Sequence, residues 1–103
     1  MRSAPASLLL HEGYGEPHYD LVIGWGKSCP TLKLRLSIRG FMGRWQAPHR
    51  RRYLSYRGPV GAGRGRVEQL WHGRVRWHRH QLGWLIHCGE LGSIRVRADG
   101  LAE

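Results

Sequence analysis

Long apolar runs are missing from this sequence. The Leu8-Leu9-Leu10 run near its start is too short for a signal-peptide core and far too short to span a membrane, so no membrane partner is expected. Cysteine is scarce: Cys29 and Cys88 are the only two. They make neither a disulfide framework nor a zinc knuckle, and a reducing cytoplasm is the simplest setting. Acidic residues are few, seven against seventeen Lys plus Arg, and lysine itself is confined to Lys27 and Lys33. A surface built only for solubility would mix both signs and both basic types. Apolar spacing at three and four residues never persists long enough to demand a helix, and no internal repeat is visible.

What is present fits one small β-rich domain over residues 1–103. Five Trp within a hydrophobic content of 41% can supply a core, while fifteen Gly and five Pro imply many tight turns between short strands. The net charge of +10 is carried almost wholly by arginine. The planar arginine fork suits bidentate contact with phosphate, and the balance of charge points to nucleic acid as partner.

Along the chain, Leu8–Leu10 reads as a first strand and Glu12–Pro17 as a loop. Tyr19–Trp25 is rich in β-formers and reads as a second strand, broken by Gly26–Pro30. Thr31–Ile38 alternates strictly: Leu32, Leu34, Leu36 and Ile38 fall on one face, Thr31, Lys33, Arg35 and Ser37 on the other. That predicts a half-buried strand with a basic outer face. Gly40–Pro48 reads as irregular, His49–Tyr56 as a short helical turn or a strand entry, and Gly58–Gly65 as a turn-rich loop. Arg66–Trp71 and Arg74–His78 around His72-Gly73 read as a β-hairpin. Trp84–Cys88 and Ile94–Ala98 around a Gly-Glu-Leu-Gly turn read as another. Six to eight short strands with little helix predict a mainly β fold, a small closed barrel. Most of the aromatics are expected in its core.

Seven histidines fall into two groups. His72, His78, His80 and His87 lie among Arg and Trp of the late strands and read as exposed polar-face residues. His18 and Asp20 are two apart, so on a strand they share a face, and the Glu12–Pro17 loop can bring them beside His11. Two imidazoles and one carboxylate on adjacent strands form a facial triad with open positions, suited to a divalent ion such as Mn²⁺, Fe²⁺ or Zn²⁺.

The segment His18-Tyr19-Asp20-Leu21, preceded by His11, resembles the H…HYD element of the 3′-phosphoesterase domain of bacterial DNA ligase D, in its compact stand-alone form. His49-Arg50-Arg51-Arg52-Tyr53 through Gly58 resembles that family's second element. Gly61–Val67 and Trp71-His72-Gly73 resemble its glycine-rich loop and following strand. The likeness runs in order from about Leu8 to Ala98. It implies a small closed barrel, with His11, His18 and Asp20 as ligands for manganese (zinc or cobalt as alternatives). It also implies that His49 and Tyr53 meet the scissile phosphate. The implied activity is removal of a 3′-phosphate or 3′-ribonucleoside from DNA primer ends during repair by non-homologous end joining, alongside a separately encoded ligase or polymerase. Arg35 and Arg39 are the expected phosphate clamps.

The chain departs from the family at two positions: Val22 stands where active members carry Arg, and Gly24 where they carry an acidic residue. The loop between the first two histidines is also one residue longer. The other reading of the same features is a non-catalytic nucleic-acid-binding or ligase-partner barrel.

Overall fold

In β3 (Ser28–Ser37), Leu32 and Leu34 are buried while Lys33 and Arg35 are exposed, as the alternation requires. This comes from a computed structural model, which describes residues 2–37, 40–81 and 83–97. Before β3 come β1 (Arg2–Glu12) and β2 (His18–Ile23). After it come β4 (Gly40–Arg50), β5 (Gly58–Pro59), β6 (Arg66–His80), β7 (Gly83–His87) and β8 (Ser93–Arg97). Among the described residues the remaining regular elements are two 3₁₀ turns, Arg51–Leu54 and Gly89–Leu91.

The strands run in the order β1-β2-β3-β4-β8-β7-β6, and β6 returns to β1, so seven of them close a barrel with β5 outside on β6. Closure satisfies the backbone edges that an open sheet of this length would expose. Neighbours are antiparallel except β4 and β8, which run parallel through Phe41–Ile94, Met42–Arg95 and Gly43–Val96. The barrel interior is filled from one side of β1, β2, β3, β6, β7 and β8: Ala4 and Ala6, Leu21 and Ile23, Leu32 and Leu34, with Val75, Ile86, Ile94 and Val96. Fully burying a side chain of leucine size stabilises by about 1.5–3 kcal/mol.

A second apolar cluster lies on the outer side of the wall. Leu9, Val22, Cys29 and Val67 pack there under Tyr53, Leu54, Tyr56 and Val60. Their cover is anchored by its backbone: the Leu54 carbonyl accepts from Ser7 Oγ at 2.5 Å and from Gln69 Nε2 at 2.7 Å, which joins the 3₁₀ turn to β1 and β6. Both faces of β2 are therefore covered, which explains why Leu21-Val22-Ile23 is a continuous apolar run rather than an alternation.

Several expectations are corrected. Gly40–Pro48 is not irregular; it belongs to β4, whose register with β3 extends from Gly40 opposite Ser37 to Arg50 opposite Ser28. His72-Gly73 is not a turn, because β6 runs unbroken from Arg66 to His80. Glycine serves close approach there: a Cβ at Gly73 would stand 2.6 Å from Cζ2 of Trp71. Thr31 lies on the outward side of β3 as expected, yet is fully buried, its Oγ1 donating to the Cys29 carbonyl at 3.0 Å. The first strand is longer than Leu8–Leu10, and Trp25 lies beyond the end of β2 and is exposed. The loop expected at Gly58–Gly65 begins with β5. Ile38 and Ala98, expected at strand ends, lie outside the described residues. Among the described residues no helix is long and apolar enough to cross a membrane.

Candidate metal centre

His11 and His18 are register partners across β1 and β2, and their rings meet edge-on at 4.9 Å between centroids. The connecting loop turns back through Gly13 and Gly15, at φ +84° and +69°, conformations that glycine adopts without strain. Asp20 follows His18 by two residues and faces the same way, only 1% exposed. One ligand atom from each of His11, His18 and Asp20 lies within 4.8 Å of the others.

Backbone carbonyls set the two imidazoles. His11 Nε2 is 2.6 Å from the Arg64 carbonyl, and His18 Nδ1 is 3.1 Å from that of Glu16. A carbonyl oxygen only accepts, so these nitrogens carry protons, which in the uncharged tautomer leaves a lone pair at His11 Nδ1 and His18 Nε2. His18 Nε2 then stands 3.3 Å from Oδ2 of Asp20. A lone pair facing a carboxylate oxygen is repulsive unless a proton or a cation supplies positive charge. The donor set therefore fits a divalent cation: two tautomer-fixed imidazoles and a buried carboxylate.

Asp20 is compensated from β4. Gln46 Nε2 donates to its Oδ1 at 2.6 Å, and His49 Nε2 lies 3.5 Å from its Oδ2. A buried carboxylate without such partners would cost several kcal/mol. The contact with Asp20 is the largest influence on His49 and raises its pKa. Burial opposes the rise, while the Asp20 charge and the Ala47 carbonyl reinforce it. Tyr53, on the turn that follows β4, meets His49 edge-on at 5.5 Å, and Tyr56 meets Tyr53 at the same separation. The Arg52 guanidinium lies over both tyrosine rings, at 5.1 and 4.7 Å, and donates to the Tyr53 hydroxyl at 3.4 Å.

The fold thus gathers His11, His18, Asp20, His49 and Tyr53 on one outward face of the barrel. Arg35 is exposed on the side of β3 that carries Lys33, and Lys33 is the register partner of Asp20. Arg39 lies outside the described residues. Gln46 was not anticipated, because its segment read as irregular and because, three residues before His49, it shares that face only through the register shift between β3 and β4 at Cys29 and Thr31. Lys33 was assigned to the correct face but not to the site, since nothing in sequence shows that Asp20 pairs with it.

Val22 and Gly24 are both built into packing. Val22 is fully buried in the outer cluster. Gly24 donates its N–H to the Pro5 carbonyl at 2.7 Å, and a Cβ there would stand 2.9 Å from Pro5 Cγ and 3.0 Å from Leu54 Cδ1. Of the other histidines, His72 is exposed as expected, but His78, His80 and His87 are half-buried. His78 stacks on His87 at 5.3 Å, which the exposed-residue reading did not anticipate.

No family model matches the chain, and searches of curated proteins and of solved structures likewise return no match.

Proposed function

We propose that the chain is a metal-dependent phosphoesterase that trims 3′-phosphate or 3′-ribonucleoside from DNA ends. The observation that carries this reading is the arrangement of His18 Nε2 against Asp20 Oδ2, with His11 completing a three-ligand set that leaves positions open. A divalent cation held there would polarise phosphoryl oxygens and lower the pKa of a water. His11, His18 and Asp20 would hold it, with manganese the expected ion. His49, 3.5 Å from Asp20 Oδ2 and with its pKa raised by that contact, would give a proton to the leaving oxygen, a role worth roughly 10²–10⁴ in rate. Tyr53 orients His49 at its ring edge and offers a hydroxyl to a non-bridging oxygen. Lys33 and Arg35 supply positive charge on the strand beside Asp20.

The test is a 3′-phosphate primer–template incubated with purified protein and Mn²⁺. Release of phosphate is expected, falling at least about 100-fold in His11→Ala, His18→Ala and His49→Ala variants. DNA binding without turnover in Mn²⁺, Zn²⁺ or Co²⁺ would defeat the enzymatic reading. One observation favours the second reading, a non-catalytic nucleic-acid-binding barrel. Val22 and Gly24 are built into packing, so the side chains that active relatives carry there have no counterpart.

A further inference from the structure

Four of the five tryptophans gather at one end of the barrel, on positions separate from His11, His18 and Asp20. Trp25 follows β2, Trp45 lies on β4 opposite Leu32, Trp77 on β6 opposite Arg2, and Trp84 on β7 opposite Val96. They line a cavity of about 440 Å³ at the end where β1 begins and β2 finishes. Trp25 and Trp45 are 46% and 37% exposed. Core packing does not account for leaving two indoles at the surface of so small a domain. Trp25 and Trp77 meet at 89° with centroids 5.5 Å apart, so the wall offers a flat face and an edge at right angles.

We propose that this mouth binds a single unpaired nucleobase of a nucleic-acid strand, with Arg2 engaging the adjoining phosphate. The volume suits one small ring system rather than a run of stacked bases, and indole faces bind bases of any sequence. The charge selects among ligands that an aromatic box can take. The Arg2 guanidinium already lies 5.3 Å from the Trp25 ring centroid. An organic cation would have to displace it and approach a chain of net charge +10. A planar group joined to an anion meets neither obstacle. The site shares no residue with the histidine cluster and needs no metal.

The experiment is a tryptophan-fluorescence titration in EDTA with a short oligothymidylate and with an abasic oligonucleotide of equal length and charge. The expected result is saturable quenching by the oligothymidylate and at least tenfold weaker binding of the abasic strand. Trp25→Ala and Trp45→Ala should weaken the oligothymidylate by about tenfold, while Trp71→Phe and His11→Ala leave it unchanged. Equal affinity for the two strands in the wild-type protein would overturn the proposal, and this comparison needs no variant to fold. Loss of binding in His11→Ala would overturn it by assigning the strand to the other site. So would occupation by a trimethylated lysine peptide or a fatty acid in place of the oligothymidylate. Because the titration is metal-free, absent 3′-end turnover leaves its outcome independent.

Discussion

The side-chain amide of Gln46 donates to Oδ1 of Asp20 at 2.6 Å, across the width of β3. One carboxylate oxygen is thereby held by a neutral donor, and the other is left facing His18 and His49. Gln46 thus positions the carboxylate. Gln46→Ala should weaken Mn²⁺ binding by about 10–100-fold, as loss of a partner to a metal ligand typically does. Calorimetric titration checks this, and an unchanged affinity would show that the amide only satisfies a buried oxygen.

Metal should also stabilise the fold. A ligand that binds only the native state at 100 times its Kd contributes about 2.7 kcal/mol. For a domain of this size that raises Tm on the order of 10 °C. The rise should vanish in His18→Ala and return to baseline with chelator, both read by thermal melting. A wild-type Tm indifferent to Mn²⁺, Zn²⁺ and Co²⁺ would remove the metal centre.

Introducing the side chains that the resembled phosphoesterases carry should not raise 3′-end turnover. In Gly24→Glu the new Cβ meets Pro5 and Leu54 at about 3 Å, and in Val22→Arg a charge enters a fully buried cluster. Each should destabilise by about 2 kcal/mol or more, measurable by urea denaturation, with no gain in 3′-end turnover. A stable variant with faster turnover would show that the outer cluster is not committed to packing.

Burial raises the Cys88 thiol from its ordinary 9.0 to about 11. The unfolded chain therefore loses this proton first as pH rises. The stability contributed by the protonated thiol is intact below pH 9, falls above it, and levels off beyond about 11. Other groups titrate in the same window, so the difference between wild type and Cys88→Ala isolates the effect. At neutral pH the folded protein should resist alkylation at Cys88 until denaturant is added. Rapid labelling of the native protein would contradict the burial.

Much of this molecule is legible in its residues. Alternation at Lys33 and Arg35 against Leu32 and Leu34 reveals β3 and its outward face, and the run of β-patterned segments without helical spacing reveals a mainly β barrel, though its strands are longer than they read, β6 reaching fifteen residues. His18 and Asp20 share a face because a strand repeats every two residues, whatever surrounds it. Local periodicity could not show that the barrel wall has a second covering. Val22 is buried by a turn more than twenty residues farther along the chain. Gly73 looked like a turn because glycine permits turns, and it lies instead mid-strand beside Trp71, where β1 supplies the pairing that keeps β6 extended. The approach of His49 and Gln46 to Asp20, and the gathering of four tryptophans at one mouth, depend on long-range register. Backbone hydrogen bonding and closure decide that register, and no short window of sequence contains both partners.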